Sequence, residues 1–137
     1  MVKQIQVTCA IILKDEKVLC AQRSEIMSLP LKWEFPGGKI EKNESPAECL
    51  KREIKEELNL EIEIIQTFKS NFHSYSSEKE IELMPFLCKY LGGDLILKEH
   101  RNVVWEEVNK LDLLDWAEAD IPILHSFMEW FDLKGIK

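Results

Sequence analysis

Gly38-Lys39-Ile40-Glu41-Lys42-Asn43-Glu44-Ser45-Pro46-Ala47-Glu48-Cys49-Leu50-Lys51-Arg52-Glu53-Ile54-Lys55-Glu56-Glu57-Leu58-Asn59-Leu60 is the stretch that decides the fold of this chain. Its second half carries the best-signalled helix in the sequence. Ser45 is a candidate N-cap, Pro46 fits the first helical position, and Glu48 completes a Ser-x-x-Glu capping box. Ala47, Leu50, Ile54 and Leu58 recur at helical spacing and form one apolar stripe. Asn59 stands where the helix should end, and Asn tolerates the left-handed backbone of a C-terminal cap.

Glu53, Glu56 and Glu57 lie at i, i+3 and i+4 of that helix. At ~100° per residue they fall within roughly a third of its circumference. Like charges at these spacings destabilise a helix, and the three lie off the apolar stripe, so packing does not explain them. Taken alone, such a triplet reads as a solvated helix face. A hard divalent cation also accounts for it, because carboxylate oxygens suit Mg²⁺ or Mn²⁺. Arg52 precedes Glu56 by four residues and can brace this set or reach back to Glu44.

Outward from this stretch, the N-terminal side reads as strands. Residues 4–13 alternate and then turn solidly apolar; Lys14-Asp15-Glu16-Lys17 is a polar turn, and residues 18–23 complete a hairpin. Residues 24–32 form a loop, and Trp33-Glu34-Phe35 is a short strand stopped by Pro36-Gly37-Gly38. On the C-terminal side, residues 60–74 and 80–91 form a long antiparallel pair about a polar turn, with Pro85 marking an edge or a bulge. Gly92-Gly93 is a turn, and short strands are expected over 94–98 and 102–106. Residues 108–116 read as irregular with a helical turn. The last helix begins near Asp120, with Ile121, Leu124, Phe127, Met128 and Phe131 as its apolar positions. Strands on both sides of a helix, and a helix at the end, imply an α/β fold: a mixed sheet covered on both faces.

The chain has 137 residues, the size of one domain, so residues 1–137 are expected to form a single unit. Hydrophobic residues at 45% and charged residues at 31% exclude a disordered chain. Lys plus Arg is 18 and Asp plus Glu is 25, a net charge of −7 that argues against a nucleic-acid polymer as partner. A single phosphorylated small molecule that arrives with its own cations is not excluded. No run is long and apolar enough for a membrane span, and Met1-Val2-Lys3-Gln4 does not open a signal peptide. Cys9, Cys20, Cys49 and Cys88 are far apart with no Cys-x-x-Cys pair, as expected for buried thiols in a cytoplasmic protein. His73, His100 and His125 are scattered and read as structural or surface residues.

From Gly38 the fixed positions run Gly38, five residues, Glu44, seven residues, Arg52-Glu53-Ile54, one residue, Glu56-Glu57, one residue, Asn59-Leu60. This resembles the Nudix box, G-x5-E-x7-R-E-U-x-E-E-x-G-U with U apolar. Asn59 replaces the last glycine, a mild change for a left-handed cap. Trp33-Glu34-Phe35-Pro36-Gly37-Gly38-Lys39-Ile40-Glu41 and Ala21-Gln22-Arg23 are similar to the MutT branch of that family, and Ala119-Asp120-Ile121-Pro122 to its CTP pyrophosphohydrolases.

The resemblance implies a Nudix fold, an α/β/α sandwich around a mixed sheet. It implies Mg²⁺, with Mn²⁺ as the alternative, held by Glu53, Glu56, Glu57 and the Gly37 carbonyl. Glu53 would also position or deprotonate the attacking water, Arg52 and Glu44 would orient the cluster, and Gly38 and Lys39 would meet the phosphates. Glu99 would be a further metal-associated or base carboxylate, or else a solvated loop residue; Glu34 is a possible accessory acid or a solvent-facing strand residue. Asp120 aligns with the position that hydrogen-bonds the base edge, and a carboxylate there suits an edge of donors. An N-cap for the last helix is its plainer role. Arg23 is a candidate for a base or phosphate contact, and Phe35 for packing on the base.

The activity implied is hydrolysis of (deoxy)nucleoside triphosphates to monophosphate and pyrophosphate by a monomer or homodimer. 8-oxo-dGTP or a cytidine triphosphate is the favoured substrate. One rival is a Nudix hydrolase of another diphosphate such as ADP-ribose. Another is a Nudix-like domain that binds nucleotide without catalysis, against which the complete box carboxylates speak.

Overall fold

Residues 3–134 are described by a computed structural model; residues 1, 2 and 135–137 of the expected single unit lie outside the described residues. The N-terminal hairpin comprises β1 (Lys3–Lys14) and β2 (Lys17–Gln22). Asp15 and Glu16 turn it with φ of 50° and 63°, the left-handed pair that a tight two-residue hairpin requires. Two short strands follow, β3 (Trp33–Glu34) and β4 (Gly37–Lys39), then helix α1 (Pro46–Leu58). Next come β5 (Glu61–Thr67), β6 (Asn71–Ser76), β7 (Lys79–Gly92) and β8 (Asn102–Glu107). Two 3-10 turns, Val108–Leu113 and Glu118–Asp120, lead into helix α2 (Ile121–Leu133).

All eight strands belong to one mixed sheet, with β1 parallel to β7 and the other pairings antiparallel. The middle of β1, Thr8 to Ile12, is buried on both faces, and its alternation divides the core. Ala10 and Ile12 pack with Leu50, Ile54 and Leu58 of α1. Cys9 and Ile11 pack with Ile123, Leu124, Phe127 and Phe131 of α2. This is the helix–sheet–helix arrangement the sequence implied. In α2 the buried position is Ile123 rather than Ile121, which is 37% exposed.

Three expectations are corrected. Residues 60–74 form two strands rather than one, both antiparallel to β7 and separated by a break. For Pro85 only the edge alternative is overturned: it lies inside a central strand, opposite that break, and the expected irregularity is the broken ladder with a bulge between Ile64 and Gln66. Its carbonyl accepts from the Phe68 amide at 3.0 Å. The N–H that proline lacks points the same way as its carbonyl, so it is missing where the ladder is already interrupted. Residues 94–98 do not form a strand. They are held instead against the end of α1, where Ile96 N–H donates to the Leu58 carbonyl and Asn59 Nδ2 to the Asp94 carbonyl.

Candidate active site

Helix α1 carries its caps as its sequence dictates. The Ser45 hydroxyl accepts from Glu48 N–H while the Glu48 carboxylate accepts from Ser45 N–H, and Asn59 closes the helix at φ 59°. With both ends fixed, Glu53, Glu56 and Glu57 share one side of the helix and line a cavity of about 420 Å³ with Arg52, Glu41 and Glu99.

Arg52 organises this side. Its Nε and Nη2 donate to the two oxygens of Glu44 at 2.6 and 3.0 Å, and its Nη1 donates to Glu56 at 2.9 Å. Glu44 also accepts from Glu41 N–H, and with the Arg52 guanidinium against it the Glu44 carboxyl is pulled down to about 2. The expected Arg52–Glu44 pair is therefore present, in the two-pronged geometry that gives direction as well as strength. Burial, and the negative charge of Glu99 and Glu53 around it, push Glu57 up to about 7. Burial raises Glu53 as well.

Two glycines bring strand β4 into this assembly. A Cβ at Gly37 would collide with the Thr8 carbonyl and Cys9 Cα of β1, so only glycine lets the strands lie this close. A Cβ at Gly38 would occupy the space of the Glu53 carboxylate. Glu53 therefore rests against the backbone of the strand. Lys39 is not brought here. It is exposed and borders another cavity with Lys3, Gln4 and Gln6. Side chains alternate along β4, so Gly38 faces α1 while Lys39 shares the opposite face with Gly37. Only the Lys39 carbonyl reaches the cluster, accepting from Arg52 at 3.4 Å.

A divalent ion fits this donor set. The available groups are hard oxygens, and the nearby thiol of Cys49 is directed at the Gly38 carbonyl and the Thr8 hydroxyl instead. Among the described residues, no three carboxylate, imidazole or thiol groups already converge on one point. Mg²⁺ does not need such a cage, since it keeps several waters and binds through one or two carboxylates plus substrate phosphates. Glu53, Glu56, Glu57 and Glu99 line the cavity and could supply such carboxylates.

On the α2 side of the sheet two adjoining cavities, of about 430 and 180 Å³, share Val7, Arg23, Glu34, Leu83 and Asp120. The smaller one reaches Gly37 and Gly38, and so runs toward the carboxylates. The segment before α2 is clamped to β3, with Trp33 N–H on the Asp115 carbonyl and Ala117 N–H on the Trp33 carbonyl, each at 2.9 Å. That clamp sets Asp120 beside Phe35. Asp120 does not cap α2: its Oδ2 accepts from Phe35 N–H at 2.9 Å. Burial, reinforced by the negative Glu34, pushes its carboxyl up to about 8. The same burial that raises its pKa favours the protonated form of Asp120 over the acceptor-only carboxylate. A neutral carboxyl offers a donor beside an acceptor, the pattern an amide would present.

Arg23 and Glu34 are joined at 2.7 Å, and the other Glu34 oxygen lies 2.8 Å from His100 Nε2, so Glu34 does not simply face solvent. The Phe35 ring is 3% exposed and packs on Trp116 with centroids 4.7 Å apart, so it belongs chiefly to the core and borders the smaller cavity. Tyr75, at the edge of the larger cavity, and the buried His100 were missed by sequence reasoning. A lone histidine among charged residues carried no periodic signal. Tyr75 sits on a strand whose alternation could have placed it on the same face as His73.

A family model described as NUDIX domain matches residues 2–127. The chain belongs to the Nudix hydrolase family. This Nudix hydrolase is 36% identical over 126 residues to the CTP pyrophosphohydrolase of Escherichia coli (strain K12), covering 92% of this chain and 93% of that protein. It is 28% identical over 132 residues to the 8-oxo-dGTP diphosphatase of Buchnera aphidicola subsp. Schizaphis graminum, covering 96% and 99%. Among solved structures it superposes on the E. coli ORF135 protein with a TM-score of 0.86 and 34% identity, covering 99% and 96% of the two chains. It superposes on the MutT protein of methicillin-resistant Staphylococcus aureus 252 with a TM-score of 0.77 and 44% identity, covering 95% and 99%. The two sequence relatives are named as a pyrophosphohydrolase and a diphosphatase, and this Nudix hydrolase shares the fold of the two solved structures over nearly its whole length.

Proposed function

We propose that this chain hydrolyses (deoxy)nucleoside triphosphates to a nucleoside monophosphate and pyrophosphate, with Mg²⁺ or Mn²⁺ bound at the carboxylate cavity. The observation that carries the reading is that two unlike surfaces meet at Gly38, which lines the cleft and lies against the Glu53 carboxylate of the cavity. One is a glutamate-lined cavity at α1, and the other is a half-apolar cleft floored by Val7 and Leu83 with Asp120 and Arg23 in its wall. A base fits the second while its phosphates extend past Gly37 and Gly38 to the first.

Glu53, Glu56, Glu57, Glu99 and the Gly37 carbonyl are the groups that would hold the metal, which when bound lowers the pKa of water and offsets charge on the departing pyrophosphate. Glu53, which rests against Gly38, would orient the attacking water and take its proton. The Arg52–Glu44 pair fixes the helix side from which Glu53 and Glu56 project. A neutral Asp120 matches a base edge with a donor beside an acceptor, as in N1–H beside O6 of guanine or the amino group beside N3 of cytosine. The relatives' names support the same two classes, 8-oxo-dGTP and CTP. The role in the cell is clearance of damaged or surplus nucleotides from the cytoplasmic pool by a single-domain enzyme, before they enter DNA.

Glu53→Gln is the first test. It keeps the shape of the side chain and removes its charge, so turnover is expected to fall by about a thousandfold with circular dichroism unchanged. A Glu53→Gln enzyme that releases pyrophosphate at the parental rate removes Glu53 from the reaction.

A further inference from the structure

The imidazole of His100 is 5% exposed and lies between the two cavities. Its Nε2 is 2.8 Å from Glu34 Oε2, and Glu34 Oε1 accepts from Arg23 at 2.7 Å. Its Nδ1 is buried without a hydrogen-bond partner among the described residues. The carboxylate facing that nitrogen is Glu57, with Oε2 at 3.9 Å. An orphaned polar atom in a buried position costs free energy; with a proton on each ring nitrogen, His100 donates through Nε2 to Glu34 and, after a small turn of the Glu57 side chain, through Nδ1 to Glu57. Arg23, Glu34, His100 and Glu57 thus form a chain of side chains from the wall of the base cleft to the carboxylate cavity.

We propose that His100 is a positioning residue: anchored on Glu34, it holds Glu57 in the orientation in which that carboxylate takes a divalent ion. The inference rests on reading the α1 cavity as the metal site. A carboxylate that gives one oxygen to a metal leaves the other free, and a buried donor on that second oxygen fixes the ligand's rotation. The reach from Glu34 also ties the metal ligand to the Arg23 end of the base cleft through one rigid ring.

The two ring nitrogens can be tested separately, because a glutamine amide stands near the place of Nε2 and an asparagine amide near that of Nδ1. Mn²⁺ affinity of the nucleotide-free protein is measured by electron paramagnetic resonance for wild type, His100→Ala, His100→Gln and His100→Asn, with melting temperatures alongside. His100→Gln keeps the Glu34 contact and loses Glu57, so Mn²⁺ binding is expected to weaken about tenfold, and kcat to fall with little change in KM. His100→Asn keeps the Glu57 side and should remain within about threefold of wild type. Equal Mn²⁺ affinity in wild type, His100→Gln and His100→Ala, with only the melting temperature altered, makes His100 a packing residue and overturns the proposal. Wild-type protein that binds no Mn²⁺ overturns it together with the metal-site reading. Wild-type protein that binds Mn²⁺ but releases no pyrophosphate overturns the substrate reading alone, and the variant comparison still stands.

Discussion

Asp120 Oδ2 accepts from the Phe35 amide, and the residue lines both cavities of the cleft with Glu34 and Arg23. In an unfolded chain such a carboxyl ionises near 3.9, and here it is raised to about 8. Between those values the folded protein keeps a proton that the unfolded chain has lost, so this group's contribution to stability falls as pH rises from about 4 to 8. Asp120→Asn has no proton to lose and retains an acceptor for Phe35. It is expected to melt higher than wild type at pH 8, by about 5 °C or more, with the gap closing toward pH 4. Scanning calorimetry across that range reads it, and a gap independent of pH means that Asp120 is ionised in the fold. On activity, the same substitution should re-rank nucleotides by base more than it changes the common rate. An equal loss for every base makes Asp120 structural.

At the level of elements, α1 and β4 act as one device. Gly38→Ala pushes a methyl group into the Glu53 carboxylate, so kcat is expected to fall about a hundredfold with the melting temperature lowered only modestly. Steady-state kinetics beside a thermal melt check it, and a silent Gly38→Ala shows that Glu53 does not need the strand. Ser45→Ala removes the N-cap acceptor and should cost about 1 kcal/mol in urea unfolding. The helix was legible in the sequence because its signals are local: the capping box, the apolar stripe and Asn59 all lie within 15 residues of chain. The Arg52–Glu44 pair was legible for the same reason. Residues 95–97 misled, since three apolar residues in a row suggest a strand, yet both edges of β7 there are already paired with β1 and β5. Lys39 came from the resemblance alone; strand alternation puts its side chain on the face of Gly37 and not on that of the carboxylates. His100 was illegible because its partners Glu34 and Glu57 come from other elements, and only the tertiary fold sets them on either side of one ring.

Across the whole molecule the charge of −7 has a definite place. Residues 41–63 hold eight glutamates against Lys42, Lys51, Arg52 and Lys55, so four of the seven excess negative charges fall there. Such a patch repels a triphosphate unless cations come between them. Mn²⁺ or Mg²⁺ alone should therefore raise the melting temperature, by an amount equivalent to about 2.7 kcal/mol at a hundred times the dissociation constant, and a chelator should reverse it. No melting shift with either ion contradicts the metal site. The central claim is most directly tested by chromatography of the products formed with Mg²⁺ from the eight common nucleoside triphosphates, 8-oxo-dGTP and ADP-ribose. The expected result is monophosphate plus pyrophosphate from at least one triphosphate, highest for 8-oxo-dGTP or a cytidine nucleotide, abolished by chelator and by Glu53→Gln. Release of diphosphate plus orthophosphate, or cleavage of ADP-ribose with every triphosphate left intact, would contradict it.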